Sequence, residues 1–469
     1  MSESAGILLS HLFFVSHCSL SENELGGILS AIAMLTAATR IIQKLRHSGY
    51  EALLAGGCVR DHLLGREPKD FDVATSATPD QVIALFPGAL TVGAHFGVVI
   101  VRQGGEQIEV ATFRTDGSYK DGRHPESVTF STAEEDAKRR DFTVNGLFRD
   151  PIEDRIIDHV GGQADLEKRV LRAIGDPAQR FAEDKLRLLR AVRFATTLGF
   201  EIEPETWRAV IDFAPQIQSV SAERIRDELI KIFLHPNRLR GFDLLMDSGL
   251  MAQVLPEILV LKGVEQPPQW HPEGDVFIHT RLMLSLLPEQ VSLPLVLSVL
   301  LHDIAKPATF TVDETGRIRF NGHDKLGAEM TGDILRRLKF PNDTIEPAQV
   351  AVEHHMVFKD VKKMKKSTLK RMMSRPTWPD ELALHRVDCL GSNGLLDNYE
   401  FMLAKAAEFS TEPLIPKPLL NGRDLIALGW QPGKTMGEAL TKVQDAQLEG
   451  LIATHEEALA WLSSQDIHA

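Results

Sequence analysis

Leu54-Ala55-Gly56-Gly57-Cys58-Val59-Arg60-Asp61, followed by Asp70-Phe71-Asp72, is the stretch on which the fold turns. Its pattern predicts a strand over Tyr50–Ala55, a helix over Cys58–Leu64 and a second strand over Asp70–Ala74. Glycines at a strand-to-helix turn let backbone amides approach a phosphate; the helix N-terminus adds a partial positive charge and Arg60 a full one. Gly57 and Arg60 are therefore candidate phosphate-binding residues. In a strand, residues i and i+2 share a face, so Asp70 and Asp72 are expected to project together. Two adjacent carboxylates repel unless a cation lies between them. A pair of divalent ions about 3.5–4 Å apart would clamp the attacking and leaving oxygens of a phosphoryl transfer. Mg²⁺, which prefers oxygen ligands, is the natural ion. Glu109, on a later strand, is either a third ligand or an ordinary exposed strand residue.

Outward from this stretch, Phe96–Arg102 and Gln107–Phe113 read as a hairpin joined by Gly104-Gly105. Residues 50–150 thus form an α/β domain. Beyond Asp176 apolar residues recur at three and four, strands vanish, and helices dominate to the C-terminus. Net charge is −13, which argues against bulk electrostatic coating of nucleic acid and leaves room for a local basic surface. The clearest basic cluster is Lys362, Lys363, Lys365, Lys366, Lys370 and Arg371, for which a solvated face is the ordinary reading. Three cysteines (Cys18, Cys58, Cys389) show neither a disulfide framework nor a zinc spacing, which points to a reduced, cytoplasmic compartment. No run of eighteen apolar residues is present, so no membrane span is expected. The first 33 residues lack Lys and Arg; a disordered leader is the expectation, with an amphipathic helix starting at Met34, itself a candidate start.

The opening motifs resemble the class II nucleotidyltransferases of the polymerase-β superfamily, which comprise the bacterial-type tRNA CCA-adding enzymes and poly(A) polymerases. The resemblance continues in order. Arg139-Arg140-Asp141-Phe142-Thr143-Val144-Asn145 is similar to the family's ribose-discriminating motif. Asp158-His159-Val160-Gly161-Gly162 resembles its hinge between head and neck, and Glu183-Asp184-Lys185-Leu186-Arg187 its nucleotide-selecting motif. Ser221-Ala222-Glu223-Arg224-Ile225 resembles its last motif, and Asp121-Gly122-Arg123-His124-Pro125 the loop associated with the switch to A addition. The resemblance implies tRNA, CTP and ATP as partners, Asp70 and Asp72 as catalytic Mg²⁺ ligands, and Asp184 with Arg187 as the base-reading pair.

The chemistry of that pair is legible without the family. Asp184 and Arg187 are three apart on one expected helix face. Ionised Asp only accepts hydrogen bonds and Arg only donates. Cytosine and adenine each offer an amino donor beside a ring-nitrogen acceptor; uracil and guanine present the opposite order. Arg190 and Arg193 extend the face at spacing three, and Arg140 joins from the preceding motif, a set suited to a triphosphate. Absent the resemblance, an Asp–Arg helix pair is an ordinary surface salt bridge.

A third element lies downstream. His302-Asp303 follows the apolar run Leu293–Leu301, with His279 upstream and His323, His354, His355 and Asp388 downstream. This order resembles the HD superfamily of metal-dependent phosphohydrolases. The resemblance implies His279, His302, Asp303 and Asp388 as core ligands, with His323 and His354 near the substrate or a second metal. Mixed imidazoles and carboxylates suit a transition ion such as Ni²⁺, Mn²⁺ or Co²⁺ better than Mg²⁺. Some bacterial CCA-adding enzymes carry such a domain, where it is associated with phosphatase and 2′,3′-cyclic phosphodiesterase activity.

The expected architecture is a leader (1–33), an α/β nucleotidyltransferase head with a polymerase-β-like mixed sheet (34–160), and a long all-α neck and body (161–265). An HD domain (266–405) and a helical tail (406–469) follow. The expected activity is CCA addition to the tRNA 3′ end. Sequence alone leaves open an A-adding, CC-adding or poly(A)-adding member of the same family, or an HD phosphohydrolase with a degenerate head; it is silent on oligomeric state.

Overall fold

The computed structural model describes residues 22–91, 97–116, 128–411 and 413–465. The 121–125 loop lies outside the described residues. Two compact units are present. One holds the described residues up to Ile232 together with Asp243–Val254; the other holds Phe233–Phe242 and the described residues from Leu255 onward.

The head of the first unit is built on eight described strands: β1 (Ala52–Ala55), β2 (Asp72–Thr75), β3 (Val98–Gln103), β4 (Glu106–Thr112), β5 (Arg114–Asp116), β6 (Val128–Phe130), β7 (Leu147–Asp150) and β8 (Arg155–Asp158). Six form one mixed sheet in the order β3-β4-β2-β1-β7-β8, in which only β2 and β4 are parallel, while β5 and β6 pair separately. The Gly104-Gly105 hairpin forms as expected, with Gln103 opposite Glu106 and both glycines at positive φ (62° and 91°), the backbone that a tight two-residue turn requires. Four residues of β1 are buried, as a central strand demands. Leu53, Ala55, Ala74, Phe113 and Phe148 fill the core on one side, with Phe113 and Phe148 edge to face.

Three expectations need correction. The N-terminal helix spans Glu22–His47, so residues 22–33 are helical rather than a disordered leader; residues 1–21 lie outside the described residues. Among the described side chains of this helix the buried ones are Ala37, Ala38, Ile41, Ile42 and Leu45, and that periodic face is what the sequence displayed. Strand β2 starts at Asp72, so Asp70 precedes it and the strict i, i+2 alternation does not carry the pair. Strands also do not vanish beyond Asp176. Glu201–Ile202 pairs with Val170–Leu171, and Thr311–Val312 with Ile318–Arg319, in ladders too short to show periodicity.

Asp158 ends β8 and holds the glycine pair that follows. Its carboxylate accepts from the backbone N–H groups of Val160, Gly161, Gly162 and Gln163, and a Cβ on Gly162 would meet the Thr143 carbonyl at 2.2 Å. The expected hinge is thus a tightly tied turn.

The second unit is helical. Helices Val276–Leu286, Leu293–Leu301, His323–Arg337, Asn342–His354 and Trp378–Gly391 make its HD portion. Helices Gly422–Ala427, Lys434–Glu449 and His455–Ser464 pack around Leu425, Trp430, Val443 and Leu462 in the tail, two of them opened by capping boxes at Asn421 and Thr454. In the basic cluster, Lys362 and Lys363 face Asp397 and Asp360, Arg371 bonds Asp445, and Lys366 and Lys370 lie over Phe409. These cations are largely spent on the unit's own groups.

Candidate active site and metal centre

The ends of β1 and β2, the turn at Gly56 and the start of helix Leu186–Leu198 enclose a cleft of about 580 Å³. Gly57, Arg60, Asp70, Asp72, Arg140, Asp184, Arg187, Arg190 and Arg193 all line it, so these head and neck candidates converge there, whereas Glu109 is not among the lining residues. Gly56 is confined to glycine on two counts. Its φ is 74°, and a Cβ would lie 2.9 Å from an Arg140 guanidinium nitrogen.

Asp72 is half-buried and Asp70 exposed. Burial, then the charges of Asp70 and Glu109, raise the Asp72 carboxyl to about 6, with Arg140 pulling the other way. A carboxylate held against its own ionisation by two others fits a site for divalent cations. Among the described residues, the three do not close into a set with all ligand oxygens within 4.8 Å.

The cleft's cations are held in place by acids the sequence reading passed over. Arg60 donates to Asp61 and to the Asn145 side chain (2.6 Å); Arg140 donates to Asp136; Arg190 donates to Asp141 through two nitrogens; Arg193 pairs with Glu228. Burial works against the Asp141 carboxylate, but the Arg190 charge and bonds from Asn145 and Arg190 outweigh it and hold it far below the usual carboxylate range. The Arg193, Arg60 and Arg190 guanidinium carbons lie 3.9, 5.3 and 5.3 Å from the Phe194 ring centroid. An aromatic quadrupole among three guanidinium groups relieves part of their mutual repulsion.

Asp184 and Arg187 do not share one helix. Helix Pro177–Glu183 ends before Asp184, whose extended backbone (φ −138°, ψ 105°) lets its carboxylate accept from Leu186 N–H and cap the next helix. They are also not paired to each other. Arg224 donates to Asp184 at 2.8 Å, whereas Arg187 donates to Glu183 at 2.7 Å and to the carbonyls of Arg180 and Arg139. Each half of the pair therefore has its own support, which leaves acceptor and donor separately presented to the cleft. Glu183 was visible as part of the motif; Arg224 comes from the last motif, forty residues on in sequence.

In the second unit, His279 sits on helix Val276–Leu286, His302 and Asp303 follow helix Leu293–Leu301, His323 opens its helix, and Asp388 lies on helix Trp378–Gly391. Folding brings them together as two sets, each with ligand atoms within 4.8 Å: His279, His302 and Asp388, and Asp303, His323 and His355. Asp303 links the sets, with Oδ2 3.1 Å from His302 Nε2 and Oδ1 3.5 Å from His323 Nε2. The second set overturns one expectation, because it uses His355 and not His354. Helix Asn342–His354 ends there, and His355, at the start of the following 3-10 turn, is the buried one (3% exposed). His354 Nδ1 contacts the Val350 carbonyl, and His354 joins no such set among the described residues.

These residues fit a bound ion. Nδ1 of His302, His323 and His355 lies 2.9, 2.6 and 2.6 Å from the carbonyls of Val299, Phe320 and Val352. Each ring therefore donates outward and turns Nε2 inward. The inward nitrogens of His323 and His355 are 3.1 Å apart, two lone pairs face to face. His302 Nε2 and Asp303 Oδ1 are buried without a hydrogen-bond partner, while Asp303 Oδ2 has the Lys306 ammonium beside it, in an ion pair. Each such group costs about 1–3 kcal/mol unless satisfied, and a divalent ion satisfies all of them at once. Burial, then the His302 charge, lowers His355 to about 4, so its nitrogen is bare at neutral pH. The site also has residues not anticipated from sequence: His271, Glu273, and Lys306, whose ammonium is 2.6 Å from Asp303. Only Lys306 carried a signal, as the i+3 cation after Asp303.

Models of known families match in the same order: the poly A polymerase head domain over residues 52–172, the probable RNA and SrmB-binding site of polymerase A over 199–261, and the HD domain over 276–384. Several curated CCA-adding enzymes match one half of the chain at 43–46% identity, and the chain spans about half of their length. Two relatives match nearly throughout. The CCA-adding enzyme of Lactobacillus helveticus is 31% identical over 90% of this chain and 95% of its own; the A-adding tRNA nucleotidyltransferase of Deinococcus radiodurans is 35% identical over 88% and 94%. The crystal structure of the Bacillus stearothermophilus CCA-adding enzyme in complex with CTP superposes with a TM-score of 0.70 at 28% identity, covering 92% of this chain and 96% of that one. With the motifs gathered into one cleft and relatives that align end to end, the chain belongs to the bacterial-type CCA-adding enzyme family of tRNA nucleotidyltransferases.

Proposed function

We propose that this chain adds C, C and A to the 3′ end of tRNA from CTP and ATP, without a nucleic-acid template. The observation that carries this reading is one cleft lined by Asp70, Asp72, Asp184 and Arg187 together. Asp70 and Asp72 are the residues that would hold Mg²⁺, which supplies charge neutralisation on the triphosphate and a more acidic 3′ hydroxyl. Arg60, Arg140, Arg190 and Arg193 bind and orient the phosphates, already immobilised by their acidic partners, so little reorganisation accompanies binding. Asp184 accepts from the base amino group and Arg187 donates to the adjacent ring nitrogen, an order that admits C and A and rejects U and G. A cytoplasmic location is part of this reading, supported by the proposed tRNA and nucleotide substrates and by the free thiols of Cys58 and Cys389. No helix among the described residues is long and apolar enough to cross a membrane.

Incubation with tRNAs ending in the discriminator base, C, or CC, with labelled CTP and ATP resolved to single nucleotides, tests the reading. All three should be extended to CCA. Extension of the CC-ending tRNA alone would assign the A-adding activity named for the Deinococcus relative instead.

Arg224 supports Asp184 and is a positioning residue in this scheme. Arg224→Gln removes one charge-assisted hydrogen bond, about 1.5 kcal/mol, and should slow C and A addition together by about tenfold. Misincorporated U and G should rise in the product ladder. An unchanged ladder with all four nucleotides present would free Arg224 of this role.

A second reading has its own support in the buried, unsatisfied His and Asp atoms of the HD domain. We infer a metal-dependent phosphohydrolase there, active on a small phosphoester such as a 2′,3′-cyclic phosphate, with Ni²⁺, Mn²⁺ or Co²⁺.

A further inference from the structure

The imidazoles that surround the HD centre are not backed alike. His302, His323 and His355 each direct Nδ1 at a backbone carbonyl three residues earlier in the chain. His279 is the exception. Its Nδ1 lies 2.7 Å from Glu273 Oε1, while its Nε2 lies 3.1 Å from Asp388 Oδ1 on the ion-facing side. The same Glu273 oxygen is 2.9 Å from His271 Nδ1, and the His271 and His279 rings meet edge to face at 4.9 Å. Glu273 Oε2 is buried and has no hydrogen-bond partner. Glu273 and His271 both precede the stretch that matches the HD model, so nothing in that match assigns them a part.

His271, Glu273 and His279 can be read as a third ligand set, but the spacing argues against it. Donors at about 2.1 Å from a tetrahedral ion stand roughly 3.4 Å apart. Contacts of 2.7 and 2.9 Å are too short for two ligands of one ion: His271 Nδ1 makes a hydrogen bond to the carboxylate, and His279 Nδ1 meets it as an ion pair at an angle outside a hydrogen bond. A carboxylate at Nδ1 fixes the tautomer, orients the ring and makes Nε2 a more basic ligand than a carbonyl does.

We propose that Glu273 is the positioning residue of the HD centre, fixing His279 with Nε2 toward the ion and thereby setting the affinity of the half-site formed by His279, His302 and Asp388. This rests on the hydrolase reading only in taking those three as ligands. The half-site backed by a full negative charge binds its ion more tightly than the one formed by Asp303, His323 and His355, which is backed by carbonyls alone.

The test is Co²⁺ titration of the metal-free full chain, followed by visible d–d absorption, with bound metal counted after dialysis. Glu273→Gln keeps the shape and removes the charge. It should weaken the tightest Co²⁺ site about 10–100-fold and alter its absorption band. Glu273→Asp should recover part of the affinity, and thermal unfolding of the metal-free variants should stay near wild type. Wild-type affinity and spectrum in both variants overturn the proposal. So does equal weakening of every site together with a lowered melting temperature, since Glu273 would then hold the fold and not the ligand. Wild-type protein that binds Co²⁺ yet hydrolyses no phosphoester removes the hydrolase reading and leaves this inference standing. A wild-type chain that binds no Co²⁺ overturns both.

Discussion

Asp72→Ala should reduce CTP and ATP addition by about a thousandfold or more, with Asp70→Ala close behind. Metal-mediated charge stabilisation in phosphoryl transfer is worth several kcal/mol, and each 1.4 kcal/mol is a factor of ten. Asp72 is the more constrained of the two, at the start of β2 opposite Ala55 of β1, whereas Asp70 lies in the exposed approach to the strand. The same substitution should not harm the metal-free fold. Burial, then Asp70 and Glu109, raise the Asp72 carboxyl to about 6, so the folded state holds that proton more tightly than the unfolded chain does. Stability from this group therefore falls as pH rises from the ordinary carboxylate range through about 6, and the penalty is complete above that. Asp72→Asn should melt no lower than wild type at pH 8 without divalent ions, and the two should converge below pH 4. Added Mg²⁺ should raise the wild-type melting temperature more than that of the variant. Loss of activity with a lowered metal-free melting temperature would make Asp72 a structural residue; retained activity would move the catalytic site elsewhere.

How much of this was legible beforehand depended on whether a residue's role is local. Gly56, Gly57 and Arg60 were readable because a strand, a tight turn and a helix start impose their geometry within a few residues. The Gly104-Gly105 turn was readable for the same reason. Asp70 and Asp72 both line the cleft, but not for the expected reason, since Asp70 precedes the strand. Asp184 was misplaced because its role depends on a break between two helices, and an Asp that caps a helix looks in sequence like an Asp within one. Arg224 and Glu228 were unreadable as partners of Asp184 and Arg193, since only tertiary packing brings their helix to the cleft. His354 and His355 show how narrow the margin is. Successive residues point about 100° apart around a helix, so one residue decides between the ion and the rim. The start of the first helix was missed because Gly26-Gly27 disfavours a helix there, although Leu25, Ile28, Leu29 and Ile32 fall at helical spacing.

Asp303→Asn should abolish metal-stimulated phosphoester hydrolysis, by about a thousandfold or more, and strip the transition metal from the purified protein. CTP and ATP addition at 25 °C should stay within about twofold, because the Asp70–Asp72 cleft is built entirely in the other compact unit. Stability gives a second, independent reading. Asp303 and Lys306 form an ion pair of 2.6 Å with side chains 2% and 7% exposed. Removing one member of a buried pair leaves an uncompensated charge and costs about 3–5 kcal/mol, whereas replacing both with apolar or neutral groups is often neutral. Asp303→Asn alone should therefore lower the melting temperature by roughly 10 °C. The double variant with Lys306→Met should recover most of that stability while remaining without hydrolase activity or bound metal. Stability and catalysis then separate: the pair is replaceable as structure, and the carboxylate is not replaceable as the link between His302 on one side and His323 with His355 on the other. Should Asp303→Asn keep both its metal and its hydrolysis, the histidines would be a packed polar cluster and the second active site would not exist. Should the double variant regain hydrolysis along with stability, Asp303 would serve the fold alone, and the ion would be held by His279, His302 and Asp388 without it.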